Sequence, residues 1–106
     1  MRHFSPADLR EHLQYTDRTP LLVDVREEWE YDICHLPDSC LLPMKQLLQN
    51  PEQLDKDREI VLICHHGIRS RQVAQVLEHN GFCRVINLDG GLERWAKDLD
   101  LDMARY

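Results

Sequence analysis

The sequence predicts an α/β fold: a mostly parallel open sheet with helices on both faces. Three observations predict it. Short apolar runs rich in β-branched residues recur at 21–25, 60–64 and 85–88; stretches with helical spacing follow them; and the connections between the two are short. Strand-then-helix alternation of this kind gives parallel neighbours joined by helical crossovers. A length of 106 residues suits one domain, 1–106, with a core that needs no disulfide or metal support.

Each element follows from local pattern. Ser5-Pro6-Ala7-Asp8 reads as a helix start, with Ser5 as cap, Pro6 in the first turn and Asp8 as the capping-box acid. Leu9 and Leu13 then supply an apolar stripe to about Gln14. Leu21-Leu22-Val23-Asp24-Val25 is a buried strand, and 27–33 a short acidic helix with Trp29 and Ile33 four apart. Leu36–Ser39 is a turn, and Cys40-Leu41-Leu42 a second strand stopped by Pro43. Met44, Leu47 and Leu48 fall at helical spacing, and Asn50-Pro51-Glu52 restarts a turn of helix. Ile60–Cys64 is the clearest strand. A helix from about Ser70 to His79 buries Val73, Ala74 and Leu77 and ends at Asn80-Gly81. Val85–Leu88 is the last strand, and Gly90-Gly91 opens a helix carrying Leu92, Trp95 and Leu99. Four strand-then-helix units result.

Composition excludes several functions. Thirteen Lys and Arg against nineteen Asp and Glu leave a net charge of −6, the wrong balance for a nucleic-acid partner. No apolar run is long enough for a membrane span, and the first residues lack a signal-peptide stretch, so a cytoplasmic location is expected. In a reducing compartment Cys34, Cys40, Cys64 and Cys83 are expected as free thiols.

The chemistry concentrates in Cys64-His65-His66-Gly67-Ile68-Arg69-Ser70. A thiol ends a buried strand and leads through a tight turn into a helix N-terminus, with Gly67 permitting the turn. In open parallel sheets, sites form at this end of the strands. Turn amides and first-turn helix amides can converge in front of the sulfur and favour an anion, with Arg69 and Arg71 adding charge. The same field favours a reactive thiolate, which can act as a nucleophile without an obligatory base. The expectation is an exposed, ionised Cys64 ringed by main-chain donors.

At these residues the chain resembles the rhodanese family of sulfurtransferases. Leu22–Arg26, Glu30-Tyr31 and His35-Leu36-Pro37 are similar to the family's first signature, and Cys64 through Gly67, Arg69 and Ser70 to its active-site loop. Gly81-Phe82, Leu88–Leu92 and Trp95 match its closing pattern, so the likeness spans about residues 4–100. Cys34 departs from the family's usual glycine, and Asp38-Ser39 from its Gly-Ala.

The resemblance implies a rhodanese-like fold and a thiosulfate sulfurtransferase. Catalytic Cys64 would take sulfane sulfur from thiosulfate or a related small anionic donor as a persulfide, and pass it to a thiol (a protein thiol included) or to cyanide. His65, His66, Gly67, Ile68, Arg69 and Ser70 would bind substrate, with Arg69 and the loop amides holding the leaving charge. Asp24, Arg26 and His35 would form an internal polar network beside the site. The alternatives are a sulfur-relay or regulatory protein-binding module and, against the four-residue interval from Cys64 to Arg69, a cysteine phosphatase or arsenate reductase. No cofactor or metal is expected, because the histidines and cysteines have no standard ligand spacing. Trp29 and Trp95 are expected in the core, Cys34, Cys40 and Cys83 as buried thiols, and Glu27, Glu28 and Glu30 on a solvated face.

Overall fold

Ile60–Ile63 (β4) is apolar and fully buried along its length, which requires cover on both faces and both edges. The computed structural model, which describes residues 1–106, supplies it. The other strands are β1 (Arg2–Phe4), β2 (Leu21–Asp24), β3 (Cys40–Leu41) and β5 (Val85–Leu88). The helices are α1 (Pro6–Tyr15), α2 (Glu28–Ile33), α3 (Met44–Gln49), α4 (Ile68–His79) and α5 (Gly91–Leu99), with a 3-10 turn at Pro51–Gln53. The sheet runs β1-β5-β4-β2-β3 and every pair is parallel. Leu62 lies opposite Val23 on one side and Asn87 on the other, so β4 is central.

Alternation along β4 divides the interior. Ile60, Leu62 and Cys64 join Val23 and Val85 beneath Leu47 of α3 and Val73, Ala74 and Leu77 of α4. Val61 and Ile63 join Leu22, Ile86 and Leu88 beneath Leu9 of α1 and Leu92 of α5. Helices therefore cover both faces, as expected. No helix is long and apolar enough to cross a membrane.

The departures from expectation are local. β1 is an additional strand with only Phe4 buried, too brief to show a period. α4 begins at Ile68, because Gly67 in the left-handed region caps it there. Trp29 is 59% exposed rather than core. In the one-and-a-half turns of α2 the inward position belongs to Glu30, which leaves Trp29 facing outward. Cys40 and Cys83 are exposed, on the edge strand β3 and on the approach to β5, and not buried. Cys34 is half-buried against the α1–α5 side of the core, and Trp95 packs there too.

The predicted cap of α1 forms in full: Asp8 N–H donates to Ser5 Oγ at 3.1 Å, and Ser5 N–H to Asp8 Oδ2 at 3.0 Å. Ser5→Ala should lower unfolding stability by about 1 kcal/mol in urea titration, while Ser5→Asp should retain most of it.

Candidate active site

The loop after β4 is fixed from behind by α5. Leu92 N–H donates to the Cys64 carbonyl at 2.9 Å and Glu93 N–H to the His65 carbonyl at 3.0 Å. These are first-turn amides of α5, which have no acceptor inside their own helix. Gly91 allows this approach: a Cβ there would run into the carbonyls of Cys64 and His65. With the loop so held, Gly67 takes φ +90°, and a Cβ at that position would come within 2.9 Å of the Gly90 nitrogen.

The turn aims main-chain donors at the sulfur. Cys64 Sγ accepts from Gly67 N–H at 3.0 Å and from Ser70 N–H at 3.4 Å, and Ser70 Oγ lies 3.2 Å away. Two of the expected main-chain donors reach the sulfur, but Cys64 is 1% exposed, so it is sheltered and not open. Ser70 is fully buried; Ile68 and His66 are exposed on the loop's outer side.

Arg69 points elsewhere than expected. Its guanidinium grips Glu30 in a two-pronged pair, Nη1 to Oε1 at 2.7 Å and Nη2 to Oε2 at 2.8 Å. It is therefore committed to α2, not free to clamp an anion. Glu30, expected on a solvated face, is buried. The Arg69 fork holds its carboxyl down to about 2 against the opposing effect of burial, with help from Tyr106.

The predicted internal network exists, with changed membership. Asp24 and Arg26 are fully buried and paired, Nε to Oδ1 at 2.9 Å and Nη2 to Oδ2 at 2.8 Å. Arg26 also donates to the Cys34 carbonyl at 2.6 Å and to Tyr106 Oη at 2.9 Å. The Tyr106 hydroxyl in turn donates to Glu30 Oε2 at 2.5 Å, and burial together with Glu30 pushes it up to about 12. His35 is not a member: it is exposed, stacked on Tyr31 and bonded through Nδ1 to that residue's carbonyl oxygen. Its separation follows from the chain direction after α2, where Cys34 offers its backbone, not the next side chain, to Arg26.

His65 packs between His66 and Tyr106. Its ring lies 4.1 Å from His66 and 4.2 Å from Tyr106, and burial, followed by the charge of His66, lowers its pKa. It favours the neutral form. A groove of about 460 Å³ adjoins Arg69, lined by Val25, Met44, Leu48 and Lys45 among others. Glu30, Tyr106 and Asn87, which bonds to Ser70, complete the surroundings without having been expected there. Of these, Asn87 had a sequence signal: a polar residue inside an otherwise apolar strand.

Two outcomes follow from this geometry. Glu30 titrates near 2 in the fold and near 4.5 when free, so the stability its ion pair supplies is complete above about 4.5 and lost as pH falls toward 2. Urea titrations across that window should show a steeper decline for the native chain than for Glu30→Gln. Gly91→Ala should cost more than about 1 kcal/mol in the same assay, since it combines a left-handed backbone with a main-chain clash.

The chain is similar to known proteins along most of its length. Residues 5–98 match the rhodanese-like domain family. The chain is 35% identical over 95 residues to a putative sulfurtransferase, YtwF, of Bacillus subtilis, covering 90% of each. It is 37% identical over 78 residues to the thiosulfate sulfurtransferase GlpE of Coxiella burnetii, covering 74% of this chain and 73% of that protein. It is also 37% identical over 105 residues to a probable adenylyltransferase/sulfurtransferase, MoeZ, of Mycobacterium tuberculosis, but spans only 26% of that protein's length. The crystal structure of a rhodanese-like domain protein from Staphylococcus aureus superposes with a TM-score of 0.81 at 28% identity, covering 90% of this chain and 91% of that one. With a family match across most of its length and a sulfurtransferase relative of its own size, the chain belongs to the rhodanese-like domain family.

Proposed function

We propose that the chain is a sulfurtransferase carrying sulfane sulfur from thiosulfate, or a related small anion, to a thiophilic acceptor through a persulfide on Cys64. The observation that carries this reading is the pair of main-chain N–H groups, from Gly67 and Ser70, directed at Cys64 Sγ at the carboxyl end of β4. Donors so placed stabilise negative sulfur without a neighbouring base.

Cys64 thiolate attacks the outer sulfur of thiosulfate. A new S–S bond forms, the donor's S–S bond breaks, and the electron pair departs with sulfite. An acceptor thiolate or cyanide then attacks the terminal sulfur of the persulfide and returns Cys64 to thiolate. Because Arg69 is held by Glu30, the charge on donor and leaving group falls to the loop amides and the N-terminal end of α4. Arg69 acts instead by anchoring the loop to α2.

The acceptor is a thiol, a protein thiol included, or cyanide. Ile68, 58% exposed on the loop, and Trp29, 59% exposed beside Tyr106, are apolar side chains open to a protein acceptor. The relatives named as sulfurtransferases support the reaction class, and GlpE the donor.

Incubation with thiosulfate should raise the intact mass by one sulfur atom, reversibly on adding cyanide, and Cys64→Ala should abolish the gain. An unchanged mass, under conditions that load a control rhodanese, overturns the reading.

A further inference from the structure

Asn87 lies in β5 at 2% exposure, and every polar atom of its side chain is engaged. Nδ2 donates to Asp89 Oδ1 at 2.8 Å and, at 3.4 Å, to the Gly67 carbonyl; Oδ1 faces Ser70 Oγ at 2.5 Å. A carboxylate and a carbonyl only accept, so the amide has one orientation, with its oxygen toward Ser70. A hydroxyl has a single hydrogen. Since Asn87 takes it, Ser70 Oγ presents a lone pair to Cys64 Sγ, 3.2 Å away. That arrangement suits a thiol S–H and withholds a donor from a thiolate.

We propose that Asn87 is a positioning residue for Cys64: by taking the Ser70 hydroxyl hydrogen, it leaves the ionised sulfur to main-chain N–H groups alone and keeps it strongly nucleophilic. The inference deepens the sulfur-transfer reading and rests on it only for what the nucleophile attacks. Its physical basis is a balance between two quantities. An added donor raises the thiolate fraction but weakens each thiolate, with a Brønsted coefficient of about 0.4–0.5 in thiol–disulfide exchange. The Asn87–Gly67 contact at 3.4 Å is the weaker of the bonds, so loss of Asn87 acts chiefly through Ser70.

The test is the pH profile of exchange between Cys64 and hydroxyethyl disulfide, read from the mass of the Cys64 peptide so that Cys34, Cys40 and Cys83 do not contribute. Native chain, Asn87→Leu, Ser70→Ala and the double variant form a cycle. In Asn87→Leu the freed hydroxyl turns to the sulfur. If the profile midpoint moves down by about one unit, exchange becomes about threefold faster on the acid arm and about threefold slower on the alkaline plateau, so the curves cross. A substitution that merely loosened the loop would remove main-chain donors and move the midpoint upward.

The charged and titratable groups around the sulfur are common to the whole cycle. They are Arg69 with Glu30 of α2, Asp24 at the end of β2 with Arg26, Tyr106, His65 and His66, Glu93 of α5, and Asp89 with His3 of β1. Should Asn87→Leu fail to fold, Asn87→Ala, which keeps no acceptor for the Ser70 hydroxyl, should give the same crossing. The double variant should follow Ser70→Ala. A profile unchanged by loss of Asn87, or a crossing that persists without the Ser70 hydroxyl, overturns the proposal. A crossing in a chain that takes up no sulfur from thiosulfate overturns the proposed donor instead and leaves Asn87 in its role.

Discussion

The carbonyls of Cys64 and His65 accept from the first-turn amides of α5, and this contact decides where the sulfur lies. It joins the end of the central strand to a helix nearly thirty positions later in the chain, through Gly91, where no larger residue fits. Once the loop's first two carbonyls are turned back toward α5, Gly67 must reverse the chain in the left-handed region. The Gly67 and Ser70 amides then point at Sγ. The arrangement is made almost wholly of backbone, so it depends on packing and conformation more than on particular charged side chains.

Charge is distributed accordingly. The two arginines that flank the site both point inward, Arg26 to Asp24 and Arg69 to Glu30, and Tyr106 bridges the two pairs by hydrogen-bonding to Arg26 and Glu30. Each guanidinium is matched by a carboxylate, as burial requires. Facing the sulfur are the partial charges of amides and a helix end, while Arg71 of α4 is exposed. Such a field is short-ranged and suits a compact ligand brought close to the sulfur.

Much of the fold was legible because its signals are local. The capping box at Ser5, the all-apolar β4 and the Gly67 turn each follow from a few adjacent residues. The loop sequence likewise marked Cys64 and the residues whose amides face it. What escaped depends on contacts distant in sequence. Glu30 looks like one acid among three until α4 brings Arg69 over it, and nothing near Tyr106 indicates that its hydroxyl will lie between Arg26 and Glu30. Trp29 and His35 show the converse error. Helical spacing in so short a helix does not say which side faces inward, and a residue beside a buried network need not enter it. The apolar character of a thiol suggests burial for Cys40 and Cys83, while their positions on an edge and in a connection put them outside.

The two outermost strands of the sheet, β1 and β3, are three and two residues long. A foreign chain aligning with either rim would find few unpaired backbone groups to template against, and at β1 the neighbouring Pro6 interrupts any extension. A continuous parallel sheet with a fully apolar middle is a hazard for fibre formation, and here that hazard is contained by brevity at its margins.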